Sequence, residues 1–110
     1  PGLTWGGDAK DVAGLDVPVL LIGLGENEDR LEATDTSATG SNLEALLPAA
    51  KVLNVAPAQH FTALGVCKPA GEAILKEEAD DPVCTDPNGA DRQASLDKMI
   101  SQLAEHFKLN

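Results

Sequence analysis

The sequence predicts a mixed α/β architecture, and three observations predict it. The run VPVLLIG at 17–23 is continuously aliphatic, the run KVLNV at 51–55 is rich in β-branched residues, and stretches with helical signals lie between and after them. An apolar run without polar alternation, bounded by Pro and Gly, marks a strand covered on both faces in a parallel sheet. Strand, helix and strand in that order make a βαβ unit. The expected class is therefore α/β, with two parallel strands and flanking helices.

Taken in chain order, the first sixteen residues hold Gly2, Gly6, Gly7 and Gly14 and read as a loop with one helical turn at 8–14. After the first strand, residues 24–40 are rich in Gly, Thr, Ser and acid and carry no helical or strand period, so a long loop is expected there. Ser41 and Glu44 form an S-x-x-E capping box, and Leu43, Leu46 and Leu47 supply one apolar face, which predicts a helix from 42 to about 47–50. Beyond the second strand, APAQHF at 56–61 turns out of the sheet.

A helix is expected over 69–79 through Ala73, Ile74 and Leu75. Its end carries Glu77, Glu78, Asp80 and Asp81, which oppose the helix dipole and predict fraying. Asp86-Pro87-Asn88-Gly89 is a turn signal. The segment 91–108 places Leu96, Met99, Ile100, Leu103 and Phe107 at helical spacing, predicting an amphipathic helix with one buried stripe.

Composition bounds the function. The chain has 110 residues with 18 Asp and Glu against 8 Lys and Arg, a net charge of −10 that repels a phosphate backbone and, with no Lys/Arg cluster, argues against a nucleic-acid role. The longest apolar run, 17–24, is too short to span a bilayer. With 16 Ala, two Phe, one Trp and no Tyr, bulky core material is thin. Two strands with three helices leave sheet faces and an edge open. This predicts the end of a larger α/β domain, incomplete on its own, and a first residue that is Pro1 rather than Met is expected to reflect either a removed signal or pro-segment or an upstream polypeptide that has been cut away.

The candidates for chemistry are few. His60 stands just past the second strand, at the carboxyl end of the sheet, where open α/β folds assemble their ligand crevice. The acidic loop 25–29 follows the first strand, so one of its carboxylates could accept the Nδ1 proton of His60 and stabilise the imidazolium. His106, in the last turn of the final helix, is given no function because a dipole contact accounts for it. Cys67 and Cys84, the only two cysteines, are expected to pair in a disulfide, which implies an oxidising compartment, periplasmic or extracellular. Asp80, Asp81, Asp86, Asn88 and Asp91 offer oxygen ligands, but their spacing does not reproduce a calcium loop, and no metal is expected.

The stretch DVPVLLIG, the acidic loop, NLEALLP at 42–48, KVLNV, QHF and the final amphipathic helix together resemble the carboxyl-terminal third of an α/β-hydrolase, nearest to dienelactone-hydrolase-like and chlorophyllase-like serine hydrolases. The resemblance implies that His60 is the triad histidine of a carboxylic ester hydrolase acting without metal or organic cofactor. The family's acid follows a G-x-x-D pattern. Gly25-Glu26-Asn27-Glu28 fits it with Glu28 in the acid place, Asp29 stands one residue later, and some relatives take the acid from an earlier strand that would lie before Pro1. The G-x-S-x-G nucleophile elbow is missing, since none of Ser37, Ser41, Ser95 and Ser101 has Gly two residues away on both sides. Gly65-Val66-Cys67-Lys68-Pro69 faintly resembles an elbow with a Cys nucleophile, but the family order of nucleophile, acid, histidine argues against it. The implied partner is thus an amino-terminal chain carrying G-x-S-x-G, and the substrates are small esters. The competing reading is a small secreted, disulfide-stapled acidic domain that binds a partner and catalyses nothing.

Overall fold

Leu20–Leu24 (β1) and Lys51–Val55 (β2) run parallel, in register from Leu20 opposite Lys51 to Leu24 opposite Val55. The structure, a computed structural model, describes residues 9–12 and 14–109. Around the two strands lie four helices, Ala9–Val12 (α1), Leu43–Leu46 (α2), Gly71–Glu77 (α3) and Arg92–His106 (α4), and three 3-10 turns, Asn27–Asp29, Glu32–Thr34 and His60–Ala63. The helical turn predicted at 8–14 is present as α1, and the expectations for residues 1–8 fall outside the described residues. No helix among the described residues is long and apolar enough to cross a membrane.

The core is small. Val55, Ala58 and Met99 are its buried apolar residues, with Ile22, Leu24, Leu53, Ala63 and Leu96 packed around them in part. The expectation that the first strand is covered on both faces is not met within this chain: all five residues of β1 are half-buried, and Val17 ahead of it is 63% exposed. A two-stranded sheet has too few neighbours to cover its faces. The solvent-accessible surface is 7607 Å², against about 5,800 Å² for a folded monomer of this mass. The radius of gyration is 15.5 Å, against about 13 Å for a closed domain of this length.

Two local expectations fail for identifiable reasons. Ser41 is not a helix cap: Asn42 precedes α2 in a left-handed conformation, φ 56°, with no side-chain cap bond. Residues 35–42 wind back on themselves, with the Ser41 amide donating to Asp35 O at 2.9 Å and the Asn42 amide to Ser37 O at 2.9 Å. The Ser41 hydroxyl is thereby buried with no partner among the described residues, and α2 is a single turn. The buried line of α4 is also rotated from the predicted one. Arg92, Ser95 and Met99 face inward, whereas Ile100 (61% exposed), Leu103 and Phe107 (63%) face out. Arg92, the buried member of a pair with a half-buried carboxylate described below, takes part of the inward line, and Leu96 and Met99 of the predicted stripe pack into the core beside it.

The remaining helix ends follow simple chemistry. Asp91 caps α4, accepting from the Ala94 amide at 3.0 Å. The acidic end of α3, predicted to fray, is closed by a Schellman pair: Asp80 N–H donates to Leu75 O at 2.9 Å and Ala79 N–H to Lys76 O at 3.3 Å. Ala79 takes the left-handed position of that motif, φ 53°. The predicted turn at Asp86 to Gly89 is present, with Ala90 N–H donating to Pro87 O at 3.0 Å. Cys67 and Cys84 are joined, with Cα atoms 5.8 Å apart, and bracket α3.

Ala79→Gly should raise stability by about 1 kcal/mol, because glycine adopts the left-handed conformation without a Cβ penalty; thermal unfolding followed by circular dichroism measures it, and a lower midpoint contradicts it. Replacing both Cys67 and Cys84 by Ala should lower the unfolding free energy by about 3 kcal/mol, read from urea titration.

Candidate functional site

The two loops that leave the carboxyl ends of β1 and β2 touch. Gly25 N–H donates to Val55 O at 2.8 Å, which continues the strand ladder by one residue. Gly25 has φ 88°, and a Cβ there would lie 2.5 Å from Ala58 O and 3.1 Å from the Asp29 Cβ, so only glycine lets the chains pass this closely. Parallel pairing therefore sets the acidic turn Asn27–Asp29 beside the segment that leads into His60.

His60 opens the 3-10 turn His60–Ala63, and its backbone is closely determined. Gln59 Oε1 accepts from the Phe61 amide at 2.9 Å, and Thr62 Oγ1 accepts from the Gln59 amide at 2.9 Å. The His60 ring is half-buried and meets the Phe61 ring edge-on at 5.0 Å. Its Nδ1 is shut off from solvent and has no hydrogen-bond partner among the described residues. Glu28 and Asp29 are exposed, and the bond foreseen between Glu28 and Nδ1 is not formed in this arrangement. The loops expected to meet do meet; the side chains do not.

Two polar clusters that the sequence reading missed shape the loops. In the first, Arg30 spans the gap between the strands: Nε donates to Gly25 O (2.8 Å), Nη1 to Asp35 Oδ1 (3.0 Å) and Nη2 to Asn54 Oδ1 (2.7 Å). Gly23 leaves room for this, since a Cβ there would lie 3.0 Å from Asn54 Oδ1. Asp35 also accepts from the Ser37 amide at 3.0 Å, the Ser37 hydroxyl at 2.7 Å and the Thr39 hydroxyl at 2.7 Å. Burial pushes the Asp35 pKa up, but the bonds from Ser37, Thr39 and Arg30 outweigh it and hold it at about 2. Glu26, Arg30, Thr39 and Asn54 line a cleft of about 470 Å³. The signal was legible in part: D-x-S-x-T at 35–39 is the pattern of an Asx turn.

The second cluster lies behind His60. Thr62, fully buried, donates to Asp86 Oδ1 at 2.7 Å. Arg92 grips the same carboxylate in a fork, Nε to Oδ2 at 2.9 Å and Nη2 to Oδ1 at 3.0 Å. Burial raises the Asp86 pKa, and the Arg92 and Thr62 bonds with the Arg92 charge lower it further, leaving it below the ordinary carboxylate value.

Elsewhere, Cys67 is held in its disulfide, which removes it as a nucleophile. The His106 Nε2 lies 3.2 Å from Pro18 O, at the opposite end of the strands. Among the described residues no three His, Cys, Asp or Glu side chains come together to hold a metal ion. What the site offers chemically is a half-buried imidazole on a hydrogen-bonded 3-10 turn, past the carboxyl end of a parallel strand pair, with no carboxylate bonded to its Nδ1 among the described residues. Compared with protein-family models, curated proteins and solved structures, the chain finds no match.

Asp35 titrates near 2 in the folded chain against 3.8 for the free group, so its stabilising contribution is complete above the free value and lost as pH falls through about 2. Urea midpoints should therefore fall steeply between pH 5 and pH 2, and Asp35→Asn should be less stable at pH 5 but flatter over that range. An acid limb unchanged by the substitution contradicts the assignment.

Proposed function

We propose that this chain is the histidine-bearing part of a carboxylic ester hydrolase of α/β-hydrolase architecture, with the serine nucleophile supplied by polypeptide outside these 110 residues. The observation that carries the reading is the placement of His60: on a 3-10 turn past the carboxyl end of a strand paired in parallel, where the loop after the other strand passes close to Ala58, two residues ahead of it. The missing G-x-S-x-G and the uncovered faces of the two-stranded sheet support a larger domain.

In this reading His60 Nε2 takes the proton from the serine hydroxyl as its oxygen attacks the ester carbonyl, then gives that proton to the departing alcohol oxygen. The same atom next deprotonates water, and the acid product leaves as the serine regains its proton. The triad acid binds Nδ1, the atom that is buried and unpartnered here. Glu28, on the adjoining turn, is the carboxylate we assign to it, which requires its exposed side chain to fold inward. The disulfide supports an oxidising location, periplasmic or extracellular.

In the enzyme that includes the serine-bearing part, His60→Ala should lower turnover of small esters about a thousandfold or more and abolish fluorophosphonate labelling, with circular dichroism unchanged. Unchanged turnover removes His60 from the mechanism. In the same assay a large loss on Glu28→Gln assigns the acid to this chain, and no loss assigns it to the rest of the domain. A folded 11.4 kDa monomer without esterase activity or companion chain favours a non-catalytic binding domain instead.

A further inference from the structure

We propose that Asp86, gripped by Arg92 and Thr62, is a positioning residue that sets the place of His60; the inference rests on the ester-hydrolase reading for its catalytic consequence. Among the described residues the His60 ring has no hydrogen-bond partner at Nδ1, so the backbone of its own turn, with the edge-on contact to Phe61 in that same turn, sets where it lies. That backbone is tied on both sides of His60 to Thr85 and Asp86, the two residues that follow the disulfide cysteine Cys84. Ahead of it, the Gln59 side chain donates from Nε2 to Thr85 O at 2.6 Å. After it, the Thr62 hydroxyl accepts from the Gln59 amide and donates to Asp86, so one oxygen joins both ends of the turn to the carboxylate. Asp86 in turn is fixed by the Arg92 fork at the first residue of α4, and Thr85 and Asp86 directly follow Cys84.

Stability alone does not account for this arrangement. A buried ion pair contributes little over well-packed apolar residues of the same volume, whereas its directional bonds hold two segments in one geometry. Arg92 is 7% exposed and Thr62 fully buried, so both donors to the half-buried Asp86 carboxylate are largely shielded from water. A general base displaced by about 1 Å loses on the order of a hundredfold in rate. Thr62 is the sharpest probe, because its hydroxyl is the link between the carboxylate and the turn.

Thr62→Val removes that hydroxyl at nearly constant volume, and Thr62→Ser keeps it. In the enzyme with its serine-bearing part, Thr62→Val should lower kcat at least tenfold with KM changed less than twofold, and Thr62→Ser should restore kcat to within twofold. In parallel, the ring-proton resonances of His60 in the 110-residue chain should shift in Thr62→Val and coincide with the parent in Thr62→Ser. Asp86→Asn combined with Arg92→Gln removes both charges of the pair together and should shift the same resonances, which keeps the test available should Thr62→Val fail to fold. A folded Thr62→Val, or a folded double variant, with kcat and His60 resonances unchanged overturns the proposal. His60→Ala, run alongside, separates the two claims. Turnover surviving in His60→Ala sinks the hydrolase reading, while the resonances still decide whether Asp86 positions His60.

Discussion

Both loops at the carboxyl end of the sheet are held by a carboxylate gripped by an arginine, Asp35 buried and Asp86 half-buried. Asp35 with Arg30 organises the segment after β1, and Asp86 with Arg92 organises the segment after β2. With Val55, Ala58 and Met99 as the buried apolar residues, dispersion and apolar burial act mainly where the strands meet α4. The loops beyond lie outside that core and rely on directional bonds. Such bonds are worth little in net free energy compared with apolar packing, but they fix angles and distances that packing leaves soft. Each carboxylate also accepts from hydroxyls, Ser37 and Thr39 in one case and Thr62 in the other, so neither charge is left with a single partner.

The sheet to which these loops belong leaves its faces open. Every residue of β1 is half-buried, Val52 on β2 is half exposed, and Ile100 and Phe107 on α4 face solvent. The excess surface and large radius of gyration describe the same condition at the scale of the whole chain. A larger α/β domain packed against this piece would cover those faces and bring a nucleophile toward the imidazole, and for that reason the functional proposal and the proposal of a missing part stand together.

What the sequence made legible was set by locality. The strands follow from aliphatic content over five to seven residues, and the register follows once they pair. The disulfide follows from there being two cysteines, and the turn from Asp-Pro-Asn-Gly. The cap at Ser41 was misread because an S-x-x-E pattern does not show that Asp35, six residues earlier, pulls the chain into a different winding. The stripe on α4 holds at Leu96 and Met99 and departs at Ile100, Leu103 and Phe107, while Arg92 looks like a surface residue until Asp86 is seen beside it. Arg30 bridging to Asn54, and Thr62 bonding to Asp86, each join positions 24 apart, beyond any local periodicity. The placement of His60 at a strand end was legible; the bonds that determine its turn were not.

The most direct test of the hydrolase account is a distance. In a crystal structure of the enzyme with its serine-bearing part, trapped as the phosphonylated adduct, the account predicts His60 Nε2 within about 3 Å of the serine Oγ or of a phosphonyl oxygen. A ring turned away, with no oxygen of the adduct within about 6 Å of Nε2, would contradict it.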